Sequence, residues 1–220
     1  EKGVRLRLVV DWFENQIIDR GANIGFKKFY PTVKIIGYQG YVVSENYLCI
    51  NPTTVEKEAN ILPDIVCVTG PGLIESRKQY CPSLSVKHGP AFRFSDVYNQ
   101  KAKITNTGLL VVSLMLPICM KTSLRIINSV ILSKWHDFGK QISFKLKLHP
   151  TNKKYKKKIQ KLFNGNVAFD IVDDTFNEIM SYTTVVVSSM TSCCLESLAF
   201  AVPCVVVGDS NRINFNPIPH

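Results

Sequence analysis

Four short clusters in this chain hold groups that can bind an anion or activate a hydroxyl: 11–16 (DWFENQ), 70–72 (GPG), 148–150 (LHP) and 188–192 (SSMTS). The last places four hydroxyls in five positions, between an apolar run and a segment of helical character. A helix N-terminus presents unpaired amide N–H groups and a partial positive charge, both suited to phosphate. A single N-cap needs a single hydroxyl. The surplus at Ser188, Ser189, Thr191 and Ser192 therefore points to a phosphate cradle. Glu196 follows Ser192 by about one helical turn. It either complements the helix dipole or accepts hydrogen bonds from ribose hydroxyls.

His149 ends an apolar run and precedes Pro150, which keeps the local backbone extended. A histidine there can hydrogen-bond a phosphate and offset leaving-group charge, or can serve structure alone. Asp11 and Glu14 flank an aromatic pair, and a carboxylate there can take the proton of an acceptor hydroxyl. Both also suit ordinary capping roles, and Glu14 is the preferred base. Asp11, Gly70 and Gly72 are read as lining the same opening. Lys145 and Lys147 alternate along a strand, facing either the site or solvent.

Composition narrows the function classes. The 220 residues are 45% apolar, enough for one large core or two small ones. The longest apolar run, Gly108 to Met120, is broken by Ser113 and Pro117 and is too short for a bilayer. The chain opens on Glu1 and shows no signal-peptide pattern, which reads as sequence missing at one or both ends. Seven cysteines without CxxC spacing and four scattered histidines fit buried free thiols of a reducing cytosol. No metal site and no cofactor are expected. The net charge of +10 favours anionic partners, and eight lysines with no acid fall between Lys145 and Lys161. Only Tyr155 interrupts that cluster, so it lacks the interleaved aromatics of a nucleic-acid surface.

Strand-like and helix-like segments alternate almost throughout. Strands are expected at 5–11, 33–39, 64–70, 84–89, 108–115, 142–150, 166–172, 184–189 and 203–208, with helices between most of them. The first helix, 15–29, is expected to turn Ile17, Ile18, Ile24 and Phe26 inward. Residues 40–59 read as a long polar loop without period, and such loops are often functional. Residues 93–107 read as a linker between an N-terminal half, 1–92, and a C-terminal domain, 108–220. The expected fold is α/β: two Rossmann-like domains with parallel sheets, facing a cleft, with ligands at the carboxyl ends of the strands.

With those residues in place, the chain resembles the GT-B glycosyltransferases. LHP followed by SSMTSCCLESLAFAVPCVVV is similar to the nucleotide-binding half of bacterial surface-polysaccharide enzymes with an HP motif and a later SS or ST motif. These include capsule Kdo transferases, polysialyltransferases and CDP-glycerol glycerophosphotransferases. The 196–205 segment also resembles the E-A-L-A-x-G-x-P-V-V pattern of GT-B folds, with Ala201 in place of the usual glycine. WFENQ followed by FYPTVKIIGYQG resembles surface-carbohydrate biosynthesis proteins, with Gly40 where histidine is frequent. The resemblance implies that His149 and Ser188–Ser192 hold the donor's phosphates and that Glu196 binds ribose.

A glycosyltransferase using a CMP-, CDP- or UDP-linked sugar is the function expected, with a capsule or lipopolysaccharide type of acceptor, polymeric or lipid-linked. The N-terminal half would take the acceptor. Such an enzyme would be cytoplasmic, its basic surface making peripheral contact with the anionic inner membrane face. The rival readings are a sugar-nucleotide epimerase of the same architecture and a non-catalytic anion- or nucleic-acid-binding protein.

Overall fold

The computed structural model describes residues 5–98, 108–132, 142–162, 169–208 and 213–218. The chain divides into two compact units, Glu1–Ser95 and Asp96–His220.

The N-terminal unit contains β1 (Leu8–Trp12), α1 (Ile17–Phe29), β2 (Lys34–Gln39), α2 (Thr54–Glu58), β3 (Ile65–Val68), α3 (Ile74–Lys78) and β4 (Val86–His88). Its four strands pair in parallel in the order β1-β2-β3-β4. Phe13, Leu62, Val66, Val68, Leu84 and Val86 form the core. Gly37 is required in β2, because a Cβ there would come within 2.7 Å of Pro63 and 2.8 Å of the Phe13 ring. At Gly40 the same atom would lie 2.5 Å from the Trp12 indole. Trp12 thus fills the space that a larger residue 40, histidine included, would need.

Two expectations fail in this unit. The isoleucines of α1 do not point inward: Ile17 is 87% exposed, Ile18 76% and Ile24 48%, while Asp19 and Asn23 are buried. Asp19 is drawn inward because its Oδ2 accepts from the backbone amides of Glu14 and Gln16, both at 2.9 Å. That satisfies donors at the helix start which periodicity cannot see. The segment 40–59 is also not a plain loop. It contains a 3-10 turn at Leu48–Ile50 and then α2, started by a Thr53–Glu56 capping box.

The C-terminal unit begins with the short α4 (Ser95–Tyr98 spans the division), then β5 (Leu110–Met115), α5 (Met120–Leu132), β6 (Ile142–Lys147), α6 (Lys156–Leu162) and β7 (Phe169–Val172). It continues through α7 (Phe176–Tyr182), β8 (Val185–Ser188), α8 (Ser192–Ala199) and β9 (Cys204–Val206). Of the expected linker 93–107, residues 93–98 are helical and 99–107 lie outside the described residues. The sheet is parallel throughout, in the order β7-β6-β5-β8-β9. Both faces are covered. Val112, Leu114 and Leu146 pack with Ile126, Ile127, Val130 and Ile159, whereas Met115 and Val186 pack with Ile179, Met180 and Val202. Such double coverage produces the near-continuous apolar strands VVV and LVV. Among the described residues no helix is long and apolar enough to cross a membrane.

Candidate functional site

The order of the C-terminal sheet selects one place along its edge. From β5 the chain steps through β6 to β7 on one side, then returns to β8 and β9 on the other. The connections leaving β5 and β8 therefore diverge, the topology at which open α/β sheets take ligands at the carboxyl ends of neighbouring strands. Register places Met115 beside both Ser188 and Lys147. SSMTS, at the end of β8, and LHP, just past the end of β6, thus share this edge. They lie two strands apart, about 10 Å by the usual spacing.

His149 is held by its own turn. Its Nδ1 lies 2.8 Å from Thr151 Oγ1 and accepts from the Thr151 amide at 3.3 Å. An amide can only donate, so Nδ1 is the acceptor and the neutral ring carries its proton on Nε2. Nε2 has no partner among the described residues, leaving a donor available at the sheet edge. The turn is anchored by Asn152, which is 6% exposed and donates to Pro117 O at 3.2 Å and Ile118 O at 2.9 Å. Ser123 donates to the same Pro117 carbonyl at 3.0 Å. The loops after β5 and β6 are therefore tied together. Asn152 is a positioning residue with no sequence signal beyond lying three residues after His149.

Within SSMTS the hydroxyls differ in their duties. Ser188 is fully buried; its Oγ donates to Met115 O at 3.1 Å and lies 3.2 Å from Thr191 Oγ1. That donor is committed to joining β8 to β5. Thr191 is the N-cap residue of α8, yet its side chain makes no capping bond. The hydroxyl surplus is thus partly used in shaping the loop, while the first turn of α8 is not capped by Thr191. Ser189 is buried, and Thr191 and Ser192 are half-buried at the helix start. Glu196 is half-buried one turn on, and its carboxylate has no partner among the described residues.

Ala201 explains the usual glycine at its position. Its φ is +58°, in the left-handed region that glycine enters freely and alanine does not. It ends α8 in a Schellman arrangement: Ala201 N–H donates to Leu198 O at 2.9 Å and Val202 N–H to Ser197 O at 3.0 Å.

Lys145 and Lys147 both reach toward β7 and the loop after it. Lys145 pairs with Asp170 at 2.7 Å, and Lys147 donates to the carbonyls of Asp173 and Asp174. Cys194 is buried beneath the loop, whereas Cys49 and Cys119 are exposed, so burial is not general among the thiols. A hydrogen bond with Cys204 holds the Cys194 thiol below its usual pKa, and the same contact pushes Cys204 up. Among the described residues no three His, Cys, Asp or Glu side chains gather as a metal would require.

The carboxyl edge of the N-terminal sheet is built differently. Glu14 accepts from Trp12 Nε1 at 2.9 Å and from Gln16 Nε2 at 2.6 Å. Asp11 sits inside β1 opposite Gly37, and its carboxyl is pushed above the usual range, first by burial and then by Asp19. Asn15, at φ +58°, donates to Cys49 O at 3.2 Å and thus ties this loop to the 40–53 segment. Gly70 and Gly72 open the short turn before α3, and a Cβ at either would meet open space, so nothing steric demands glycine there. The sequence reading missed a buried polar group beside these residues. Gln39 Nε2 donates to Ile50 O at 2.9 Å, Arg77 Nε donates to Gln39 Oε1 at 2.6 Å, and Arg77 Nη1 to Asn51 Oδ1 at 3.0 Å. The partners are 11 to 38 residues apart, and only the fold brings them together.

No family model matches this chain, and no curated protein matches it. Among solved structures it is similar to Staphylococcus aureus MnaA in its co-structure with UDP, with a TM-score of 0.57 and 12% identity. The match covers 96% of this chain and 58% of that one, so the chain spans a little over half of that protein's length. One chain of the crystal structure of accessory secretory proteins 1, 2 and 3 of Streptococcus pneumoniae also matches, at a TM-score of 0.48 and 9% identity, over 92% of this chain and 40% of that one. The first likeness, together with the two parallel sheets, makes this an α/β fold of GT-B-like kind.

Proposed function

We propose that the chain belongs to a glycosyltransferase that moves a sugar from a CMP-, CDP- or UDP-linked donor to a surface-polysaccharide or lipid-linked acceptor. The observation that carries this reading is the β5/β8 edge. The start of α8 without a Thr191 side-chain cap, the Nε2–H of His149 and the Glu196 carboxylate, which has no partner among the described residues, all belong to it. The first turn of α8 receives the donor's phosphates through backbone amides, with Ser189, Thr191 and Ser192 adding hydroxyls. Ser188 contributes by holding the loop to β5. His149 donates to a phosphate oxygen and stabilises charge on the nucleotide as it leaves. Glu196 accepts from ribose hydroxyls. Glu14 of the N-terminal unit is assigned the acceptor's proton, and its two neutral donors orient the carboxylate without neutralising it. Lysines 153–161 supply a basic surface for an anionic membrane face. Nucleic acid is not among the partners in this reading, and no cofactor takes part.

A second reading, a sugar-nucleotide epimerase, uses the same site, and the likeness to a protein solved with UDP supports a nucleotide-sugar ligand in either reading. Titration with CMP, CDP, UDP and a short oligonucleotide at two salt concentrations tests the shared site. Saturable mononucleotide binding lost in His149→Ala supports it, whereas salt-sensitive oligonucleotide binding without mononucleotide preference overturns it. Incubation with nucleotide sugars then separates the readings: conversion without an acceptor is epimerisation, and turnover only with one is transfer.

A further inference from the structure

Arg77 is among the largest fully buried side chains of the chain, 2% exposed, in a unit whose other buried polar groups are neutral or paired locally. Its Nε and Nη1 donate to Gln39, Asn51 and Ser76, all uncharged, and Nη2 is buried with no partner among the described residues. Among the described residues no carboxylate pairs with it. A guanidinium stays protonated at any physiological pH, so this is a buried positive charge with no counter-ion among the described residues. Burial weakens its hold on the proton, and the group acting on it electrostatically is the Tyr41 phenol, not an acid. Leaving a charge in that condition is costly, and proteins ordinarily place a carboxylate beside it.

The place matters as much as the charge. Gln39 is the last residue of β2, so the guanidinium lies at the carboxyl edge of the parallel sheet, where such folds take ligands. We propose that Arg77 is the anchor of a second anion-binding site, in the N-terminal unit, taking an oxyanion carried by a carboxylate or a phosphate group. Nη2 supplies the free donor, and the fixed fork of Nε and Nη1 on Gln39 and Asn51 holds it in place. Gln39 bonds Ile50 O and Asn51 belongs to the same 40–53 segment, so occupancy of the site is coupled to that segment. The site belongs to the N-terminal unit, and none of its residues is among those of the β5/β8 edge.

The test is a titration of the 15N-labelled full chain with acetate and, separately, inorganic phosphate at constant ionic strength. It follows the Arg77 guanidinium resonances and the amides of 39–53. The expected result is a saturable shift of the Arg77 resonances with one or both anions, accompanied by Gln39, Tyr41 and Asn51. The two arms show whether carboxylate or phosphate is preferred. Arg77→Lys, checked for its native amide spectrum, is expected to lose the saturable response, and His149→Ala to keep it. Absence of any saturable shift at Arg77 in the unaltered chain would overturn the proposal and leave Arg77 a clamp for Gln39 and Asn51. A response surviving in folded Arg77→Lys, or abolished by His149→Ala, would overturn it too.

Discussion

The two sheets present their carboxyl edges in opposite ways. In the C-terminal unit the groups beside β5 and β8 retain capacity: Glu196 has no partner among the described residues, and His149 uses only Nδ1. In the N-terminal unit most of the corresponding groups are bound to one another, from Glu14 with Trp12 and Gln16 to Arg77 with Gln39 and Asn51, and Arg77 keeps only Nη2 unused among the described residues. The helices differ as well. Ile126 and Ile127 of α5 are fully buried, whereas Ile17 and Ile18 of α1 lie in solvent. A sheet whose helices complete its core can leave its edge polar and unfilled. The other sheet spends its polar groups on fixing a loop.

The largest expected effect tests the packing side of this contrast. Ile126→Ala should cost about 2–5 kcal/mol, because it empties a fully buried site, while Ile17→Ala should stay within about 0.5 kcal/mol. Denaturant melts of the two variants compare them directly. Equal losses would mean that α1 is covered in solution and would erase the difference between the units.

Next in size is the contrast between the edges. His149→Ala should weaken mononucleotide binding by about 1.5–3 kcal/mol, the range for a hydrogen bond to a charged group. Glu14→Gln should leave nucleotide affinity unchanged while lowering turnover. Calorimetric titration reads the first, and an acceptor-dependent assay the second.

Smaller effects fall at the backbone. Ala201→Gly should stabilise the chain by about 1 kcal/mol, because φ +58° strains a Cβ. Asn60→Gly, at φ +57° in the N-terminal unit, should change little, since asparagine tolerates that conformation. Thermal melts distinguish them. Thr175→Ala should cost about 1 kcal/mol by removing the cap of α7. The Thr175 amide, then its hydroxyl, holds the Glu178 carboxyl below its usual pKa. A lowered acid stabilises the fold fully above its unfolded value, and the contribution is lost as pH falls through the folded one. The gap between wild type and Thr175→Ala should therefore narrow on acidification, most of it below about pH 4.

Most of the alternation was legible because apolar runs buried on two faces and bounded by Gly, Pro and Ser leave little choice of element. The location of SSMTS and LHP at strand ends was readable for the same reason. What periodicity could not supply was the order β7-β6-β5-β8-β9, since strand order is nonlocal, and with it the point where the edge opens. Nor could it show that Asp19, not Ile17 or Ile18, turns inward, because that choice rests on two backbone amides in the preceding loop. Ala201 was visible as a departure from a pattern, but its cost needed the dihedral angle. Arg77 sat in a short polar helix like any surface arginine. Its partners at Gln39 and Asn51 come from distant segments.

The central claim is that a nucleotide binds at the β5/β8 edge of the C-terminal unit, and mapping the amide shifts caused by CDP or UDP tests it most directly. The account predicts saturable shifts at Ser189 to Cys194 and around His149, with a change at its Nε2. Shifts confined to the N-terminal unit, or no saturable shift at residues 189–194, would contradict it.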